Sequence, residues 1–504
     1  MPGAPNHPTS ADDRVPVVVF VCRWNHGVRR RPSREHPSPH HIQQCRSEHT
    51  RQPTASHVPH RTHQAGRLAQ GAALPATGAP RHTFRTGHTR PVAWRKEQLS
   101  RLRALLVENR EAIADALHED LRKSRDEVEG LEIGGTLREV DTYLEHLDAW
   151  LTPQPAAVPG SFPNGTAART QLDPLGVVLV ISAWNYPVNL LLVPVAGALA
   201  AGNAVVVKPA EYAAATSALL TRLLVHYLDN DAVAVVQGGA EETTLLLAQP
   251  FDHIFYTGNG TVGRVVMSAA AAHLTPVTLE LGGKSPVFVD RDADLRVVAE
   301  RLARTKFINA GQTCVAPDYV LADRQTAKSL ETELIQAVHA LFGSDPQLAD
   351  AYGRIINERH FDRLTALLHA GRIVTGGQSE RGDRYIAPTV LADIRPDDPV
   401  MREEIFGPIL PILIVADLDE AITFIKDRDK PLALYAFTGN DTTRQRLGAE
   451  TSSGGLNFGL PMYHLSVTDL PFGGVGASGQ GNYHGRYSIE TFSHRKAVLD
   501  VPLA

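Results

Sequence analysis

Residues 253–281 read HIFYTGNGTVGRVVMSAAAAHLTPVTLEL, and their pattern indicates the fold more clearly than any other segment. His253–Tyr256 and Val277–Leu281 are short apolar runs bounded by turn residues, which predicts two buried strands. Between them, Val262–Ala272 has the length and composition of a helix, and a glycine-rich turn precedes it. A strand, a helix and a second strand in this order form the unit from which parallel sheets are built.

The same alternation extends toward the amino terminus. Strands are predicted at Val177–Ile181, Val205–Val207 and Val233–Val236, and helices at Leu190–Ala201 and from about Ala213. We therefore expect an α/β fold with a doubly wound parallel sheet, which binds its ligand at the carboxyl ends of the strands.

Further outward, two helical patterns run through Leu99–Leu117 and Leu137–Leu151, and the proline-rich segment 152–173 predicts an extended arm. The apolar run from Gly176 to Val207 is interrupted by asparagines and prolines, so no clean span of about 20 residues remains. We interpret it as buried core.

Residues 1–80 have a different composition from the rest. They hold ten Arg, no Lys and four acidic residues, a net charge of +6, whereas residues 81–504 carry −11. With two Leu and one Ile, this segment cannot offset the entropy lost on ordering, so we predict a disordered basic tail. An organellar transit peptide remains an alternative.

Three cysteines in 504 residues exclude a disulfide framework and favour a reducing compartment. Cys314 is the only cysteine after the tail, and it follows the polar turn Gly311-Gln312-Thr313. A single cysteine is usually a small buried apolar residue. A turn of this kind also suits a thiolate nucleophile, and both interpretations stay open on this motif alone.

The motif Gly258-Asn-Gly260-Thr-Val-Gly263 is a literal G-x-G-x-x-G between a strand and a helix. Taken alone it indicates a dinucleotide site, with Glu280 about 20 residues later as the ribose ligand. The alternative is a helix that needs only a tight start.

Taken together, five motifs occur in an order that resembles the aldehyde dehydrogenase superfamily, and the resemblance covers residues 81–504. The motifs are Trp184-Asn-Tyr-Pro187, Val207-Lys-Pro-Ala-Glu211, Leu279-Glu-Leu-Gly-Gly-Lys284, Gly311-Gln-Thr-Cys314 and Glu404-Ile-Phe-Gly-Pro408. Further segments resemble the class 3 branch, of coniferyl or fatty aldehyde dehydrogenase type: Gly238–Thr244, Gly353–Asn357, Leu470–Gly476, Tyr483–Gly485 and Phe492–His494.

The resemblance implies NAD(P)-dependent oxidation of an aldehyde to the carboxylic acid. Cys314 is then the nucleophile that forms a thiohemiacetal and a thioester. The Asn185 amide and the Cys314 backbone N–H stabilise the oxyanion, and Glu280 becomes the base that activates the deacylating water rather than a ribose ligand.

The resemblance also assigns residues to the cofactor. Lys208 and Glu211 would bind the adenosine ribose, and Glu404 and Phe406 the nicotinamide end. The remaining cofactor residues are Trp184, Gly238, Gly258, Gly263 and Leu281. Because a carboxylate at Glu211 repels a 2′-phosphate, NAD is favoured and NADP is disfavoured without being excluded. No metal ligand is predicted.

Two departures from the branch affect binding. Gly260 replaces the usual hydroxyl or small residue, which could loosen pyrophosphate binding. The stretch Asn457–Met462 also departs from the usual Asn-Asp sequence. With Tyr186 and Tyr463, its Phe458 and Met462 would form an apolar entrance for aromatic or medium-to-long aliphatic aldehydes.

By resemblance we divide the chain into the tail, an NAD-binding domain at 81–280 that includes part of an oligomerisation arm at 152–173, a catalytic domain at 281–465 and an oligomerisation segment at 466–504. The fold implied is a Rossmann-type parallel-sheet domain plus an α/β catalytic domain. We expect a cytoplasmic homodimer that binds neither membrane nor nucleic acid. Two alternatives remain, a coenzyme A-acylating relative and a catalytically silent binding or structural relative.

Overall fold

The computed structural model describes residues 76–503, so most of the predicted tail lies outside the described residues. The helices are α1 Gly78–Arg85, α2 Val92–Glu108, α3 Arg110–Leu121, α4 Arg125–Glu127, α5 Gly134–Leu151, α6 Asn189–Ala201, α7 Ala214–Tyr227, α8 Ala240–Leu247, α9 Gly260–Ala271, α10 Leu295–Phe307, α11 Arg324–Phe342, α12 Glu358–Thr365, α13 Leu418–Lys426, α14 Asp441–Glu450 and α15 Gly485–Thr491. The strands are β1 Gln154–Ala156, β2 Ala167–Pro174, β3 Val177–Ile181, β4 Ala204–Lys208, β5 Val233–Val235, β6 His253–Thr257, β7 Val277–Glu280, β8 Pro286–Val289, β9 Tyr319–Ala322, β10 Arg372–Thr375, β11 Ser379–Glu380, β12 Tyr385–Ile386, β13 Thr389–Ala392, β14 Ile409–Ile414, β15 Ala433–Phe437, β16 Gly455–Phe458, β17 Gly479–Gln480 and β18 Ser493–Asp500.

The first large sheet contains the strands predicted from the sequence. Its order is β17-β7-β6-β3-β4-β5, in which β3 to β7 are parallel and β17 is an antiparallel edge. The parallel strands have the order of a Rossmann fold, whose ligand crevice lies where the chain reverses direction across the sheet, here between β3 and β6. The predicted Rossmann-type sheet is confirmed.

A second sheet of seven strands has the order β10-β13-β14-β9-β8-β15-β16, and every pair except β10–β13 is parallel. Its strands begin after the glycine pair at 282–283. The chain therefore builds two α/β sheets, and the segment that contains Cys314 leads into the second, immediately before β9.

The predicted extended arm is present as β1 and β2, and β2 pairs with the last strand, β18, over eight residues. This three-stranded antiparallel sheet joins the arm to the carboxyl-terminal segment. The predicted buried core is also confirmed, because all thirteen residues of α6 are buried. Within residues 76–503, no helix is long and apolar enough to cross a membrane.

The structure differs from the sequence prediction at two places. The helical pattern at Leu99–Leu117 is interrupted at Asn109, whose side-chain amide donates to the Leu105 carbonyl and ends α2 before α3 begins. The boundary of the tail is also placed too late, because α1 begins at Gly78 and buries Pro80.

Candidate active site

Predicted site residues lie at or just beyond the carboxyl ends of all five parallel strands of the first sheet. Asn185 follows β3, Lys208 ends β4, Gly238 follows β5, Gly258 follows β6 and Glu280 ends β7. This is the edge at which a doubly wound sheet binds its ligand. Residues separated by about a hundred positions in the chain are therefore brought to one edge of the sheet.

The first glycine of the predicted fingerprint lies close to the Tyr256 side chain of its own strand and beside the neighbouring strand β7. The Gly258 N–H donates to the Glu280 carbonyl at 3.0 Å. A Cβ at this position would lie 2.2 Å from the Tyr256 hydroxyl oxygen, a distance that no side chain can adopt. Gly258 and Glu280 are thus neighbours, as their two strands are paired.

The last glycine of the fingerprint brings α9 against the end of β7. A Cβ at Gly263 would lie 2.9 Å from Cδ2 of Leu281. The start of α9 is capped by Asn259, whose side-chain oxygen accepts from the Val262 N–H at 2.7 Å. The motif follows β6, whereas a dinucleotide fingerprint follows the first strand of its sheet, here β3. Gly258 and Gly263 therefore allow close packing beside Glu280, at the strand edge where the cofactor site is predicted.

Lys208 and Glu211 form an ion pair at the end of β4, with 2.5 Å between Nζ and Oε2. The Lys208 side chain is 3% exposed and the Glu211 side chain is 42% exposed. An exposed carboxylate beside a buried cation at the strand edge suits the paired hydroxyls of a ribose. Beyond β5, Gly238 has φ +142°, and a Cβ there would lie 2.4 Å from the Glu242 side chain, so the backbone passes close to α8. These residues fit a nucleotide.

Cys314 is buried, is not in a disulfide, and sits in a loop held on both sides by tyrosines. On one side, the Tyr186 hydroxyl lies 3.0 Å from Thr313 Oγ1. On the other, the Tyr435 hydroxyl donates to the Val315 carbonyl at 2.6 Å. The sequence analysis missed Tyr435, which lies on β15, about 120 residues away in the chain.

Three consecutive residues shortly before Cys314 in the chain have left-handed backbone conformation. Asn309 and Ala310 have φ of 49° and 51°, and Gly311 has φ of 72°. A Cβ at Gly311 would lie 2.2 Å from the carbonyl oxygen of Gly407, so only glycine fits between the two loops. Two predicted motifs, those of Cys314 and Glu404, therefore touch here, and the left-handed residues store conformational strain beside the thiol.

Asn185 reaches the same loop from β3. Its Nδ2 donates to the Gln312 carbonyl at 2.8 Å, two residues before Cys314. The backbone carbonyl of Asn185 accepts hydrogen bonds from Lys123 Nζ and from Asn309 Nδ2, both at 2.8 Å. Lys123 carries no motif, so sequence reasoning missed it. Asn309 lies within the quoted nucleophile segment, but nothing there predicted a contact with Asn185.

Glu280 is fully buried at the end of β7, and burial raises its pKa well above the usual value of a carboxyl group. A raised pKa brings the group closer to neutral pH, as a general base requires. The sequence could not show this shift, because it depends on burial by residues that are remote in the chain.

The loop that carries Glu404 is fixed on both sides. Lys284 Nζ pairs with Asp318 and donates to the Val400 and Glu403 carbonyls, each at 2.9 Å. Asp318 Oδ1 accepts from the Ile405 N–H at 3.0 Å. The loop is therefore anchored immediately before and after Glu404 by Lys284 and Asp318, two charged residues for which no role was predicted.

An aromatic wall connects this loop to the first sheet. The rings of Trp184 and Phe406 pack edge to face, with their centroids 5.3 Å apart, and Trp184 lies at the same distance from His360. Trp184 and Phe406 come from two of the predicted motifs, whereas His360 was not singled out. These rings offer apolar contacts of the kind that a nicotinamide ring can pack against.

The predicted apolar entrance is divided by burial. Phe458 is 37% exposed, but Tyr186 and Met462 are fully buried. Tyr186 is held by its contact with Thr313, and the Met462 N–H donates to the Tyr435 hydroxyl. Of the four predicted entrance residues, Phe458 is exposed and Tyr463 is half-buried, while Tyr186 and Met462 pack around the Cys314 loop.

The chain matches the family described as "Aldehyde dehydrogenase family" over residues 43–498, a range that begins within the predicted tail. It is 48% identical to "Aldehyde dehydrogenase, dimeric NADP-preferring" of Mus musculus over 83% of this chain and 92% of that protein. It is 50% identical to "Aldehyde dehydrogenase family 3 member B1" of Homo sapiens over 83% and 89%. The solved structure described as "Substrate bound state of Staphylococcus Aureus AldH" shares 41% identity and superimposes with a TM-score of 0.84, covering 86% of this chain and 95% of that one.

Proposed function

The chain belongs to the aldehyde dehydrogenase family, as an enzyme of the class 3 type that oxidises aldehydes with NAD(P), and on this premise we propose how its residues carry out the reaction. The observation that supports the proposal most is the bond from Asn185 Nδ2 to the Gln312 carbonyl. It supports an oxyanion role for Asn185, because this amide contacts the loop two residues before the proposed nucleophile Cys314.

In the first step, the Cys314 thiolate attacks the aldehyde carbon. A C–S bond forms, and the carbonyl electron pair moves to the oxygen, which becomes an oxyanion. Asn185 Nδ2 carries two hydrogens, and the one that does not bind Gln312 is available to the oxyanion together with the Cys314 backbone N–H. The tyrosines on either side of the loop keep the thiol in position.

The cofactor residues of the sequence prediction fit NAD(P). Lys208 and Glu211 would bind the adenosine ribose, Glu404 the nicotinamide ribose, and Trp184 and Phe406 would pack near the ring. NAD(P), when bound, accepts the hydride that leaves the substrate carbon, and the substrate remains on Cys314 as a thioester. The predicted cofactor residues Gly238, Gly258, Gly263 and Leu281 lie at the same carboxyl edge of the first sheet. We retain residues 81–280 as the nucleotide-binding domain and residues 281–465 as the catalytic domain.

Deacylation releases the product. Glu280 takes a proton from water, the water oxygen attacks the thioester carbon, and the C–S bond breaks to regenerate the thiolate and free the acid. Because burial raises the pKa of Glu280, its ionised form is a stronger base than an exposed carboxylate. Glu280 also argues against acyl transfer to coenzyme A, since a hydrolytic base works against thiol transfer.

We favour NAD over NADP, because the half-exposed Glu211 carboxylate would repel a 2′-phosphate. A relative named NADP-preferring at 48% identity supports the use of both cofactors.

For the substrate, we retain aromatic and medium-to-long aliphatic aldehydes, supported by the exposed Phe458 ring. The homodimer is supported by the relative that is named dimeric, and the cytoplasmic location by a nucleophile that must remain reduced.

The test is a panel of aliphatic and aromatic aldehydes with NAD and NADP in parallel, in which reduced cofactor and carboxylic acid are both measured. We expect both products in equal amounts without coenzyme A. Acid or acyl product that appears only when coenzyme A is added would favour the acylating relative. Failure of the whole panel to reduce cofactor would favour the silent relative.

A further inference from the structure

A buried cluster of charged side chains that the proposed mechanism does not use lies behind Asn185. It consists of Lys123, Glu127 and Glu132, whose side chains are 0%, 4% and 0% exposed. Placing charged groups in the interior is costly unless each has partners with good geometry. The partners of this cluster therefore determine what it can do.

An unusual local structure builds this cluster. Helix α3 ends at Leu121 and Arg122 turns the chain with φ 56°, which directs Lys123 into the interior. A π-helix then runs over Val128–Ile133, and a Cβ at Gly134 would lie 2.5 Å from the Glu129 carbonyl oxygen. Short π-helices are rare and occur frequently at functional sites. Here the π-helix carries Glu132.

Lys123 is linked to the proposed oxyanion residue directly. Its Nζ donates to Glu132 Oε1 at 2.7 Å and to the Asn185 carbonyl at 2.8 Å, and it lies 3.5 Å from the centre of the Tyr186 ring. The second oxygen of Glu132 accepts from the N–H groups of Val188 and Asn189, where α6 begins. The Lys123–Glu132 pair therefore holds the segment that carries Asn185 from both ends.

A second path joins the cluster to the nucleophile loop. Asn309 Nδ2 donates to the same Asn185 backbone carbonyl that Lys123 binds. Burial raises the pKa of Glu127, and the Asn309 backbone N–H on the side of that carboxyl opposes the rise. Glu127 Oε1 lies 3.7 Å from Lys123 Nζ, so Lys123 contacts both acidic residues of the cluster and shares the Asn185 backbone carbonyl with Asn309. The backbones of the oxyanion residue and of the nucleophile loop are thus fixed relative to one cation.

We propose that Lys123 is a positioning residue that, with Glu132, holds the Asn185 side chain in register with Cys314. The proposal rests on the oxyanion role proposed for Asn185. Oxyanion stabilisation depends on donors that are oriented before the reaction, and a displacement of about 1 Å can cost about 100-fold in rate. A buried ammonium that binds the carbonyl of Asn185 and the ring of Tyr186 supplies such rigidity.

The test compares reactions that differ in their need for an oxyanion. The variant Lys123→Met/Glu132→Gln removes both charges of the pair and keeps the polar acceptor for α6, so no uncompensated charge of the pair remains. We expect kcat for aldehyde oxidation, and the rate of cofactor-free hydrolysis of 4-nitrophenyl acetate, to fall by about 10- to 100-fold. Alkylation of Cys314 by iodoacetamide, which forms no oxyanion, should keep its rate, and the Kd of NAD should remain unchanged.

A double-mutant cycle with Asn185→Ala makes the test specific. If Lys123 acts through Asn185, the Lys123→Met/Glu132→Gln change should lose most of its effect when Asn185 is already alanine. The matched variant Asn309→Gly removes the other donor to the Asn185 carbonyl and suits the left-handed backbone there. It should show the same coupling, and it serves as the test if the double variant does not fold.

Two results would overturn the proposal. One is equal slowing of alkylation and of ester hydrolysis, which indicates a merely structural role. The other is an effect of full size in the Asn185→Ala background. Full ester hydrolysis by Asn185→Ala alone would instead reject the oxyanion role of Asn185, so the two failures are distinguishable.

Discussion

Two lysine–carboxylate pairs in this molecule have nearly the same contact distance and different environments. Lys208 and Glu211 are 2.5 Å apart, three residues apart in the chain, and Glu211 remains 42% exposed. Lys123 and Glu132 are 2.7 Å apart and neither side chain is exposed. The half-exposed carboxylate can bind a ligand, whereas the buried pair can act only on its protein neighbours. In our proposals, exposure rather than the type of contact separates the binding role of Glu211 from the positioning role of Lys123.

The same contrast applies to the two halves of the site. The carboxyl edge of the first sheet, where we propose that the nucleotide binds, presents glycines and the exposed carboxylate of Glu211. In contrast, buried side chains surround Cys314. Substitutions around Cys314 should therefore reduce the rates of chemical steps, and substitutions at the nucleotide edge should mainly change cofactor affinity.

The largest effect is expected at the centre of the buried region. Cys314→Ala should lower aldehyde oxidation by about 10⁴-fold or more, because no other described cysteine can form the thioester. NAD binding, measured by fluorescence titration, should persist with its Kd unchanged. Turnover that survives the substitution would remove Cys314 from its role.

The next largest effect is expected from a substitution of Glu280. Glu280→Gln should slow deacylation by about 10²- to 10⁴-fold, since the variant cannot accept the proton from water. Because burial raises the pKa of Glu280, the native deacylation rate should increase as pH rises through that raised pKa and the group ionises. Single-turnover rates of the native enzyme, measured across pH, should show this increase of the deacylation rate with pH. If the same increase persists in Glu280→Gln, Glu280 is not the group that titrates.

The half-exposed pair should give a smaller effect that concerns selectivity. Glu211→Gln removes the charge that repels a 2′-phosphate, and we expect the KM ratio of NADP to NAD to fall by about three- to tenfold with little change in kcat. Steady-state kinetics with both cofactors test this. Glu108→Gln is a matched control, because its carboxylate instead accepts from Tyr227 at the surface. A large loss of kcat in Glu211→Gln would indicate that exposure does not separate the two roles.

The smallest effect is expected at the amino terminus. Removing residues 1–75 should leave activity and thermal stability unchanged, as expected from their composition. Removing residues 1–89 is the control and should lower the melting temperature, since it deletes α1 with its Arg81–Asp252 ion pair and the buried Thr89 hydroxyl bond to the Gly202 carbonyl. Loss of activity in the shorter deletion would show that the tail has a role.

The nucleotide sheet was predictable because its signals are local. The apolar runs that became β3 and β4, the glycine turn at Gly258 and the Lys208–Glu211 spacing are contiguous patterns in the sequence. The arm at 152–173 was predictable for the same reason. Its partner β18 was not, because pairing between positions more than 300 residues apart leaves no local pattern.

The residues that hold the Cys314 loop and Asn185 in place could not be predicted from the sequence. Lys123 lies in a polar segment with the local composition of a surface turn, and its burial depends on contacts with Asn185 and Tyr186, more than 60 residues away. The π-helix at Val128–Ile133 similarly depends on one glycine and leaves an ordinary helical pattern in the sequence. Motifs therefore predict the reacting groups, whereas the residues that contact and hold them become visible only in the folded structure.

The most direct test of the account uses intact mass spectrometry of Glu280→Gln mixed with benzaldehyde and NAD. The account predicts one equivalent of reduced cofactor and a benzoyl adduct that peptide mapping locates on Cys314, because the thioester forms and cannot be hydrolysed at the native rate. Loss of cofactor reduction with no adduct on Cys314 would contradict both the nucleophile and the base.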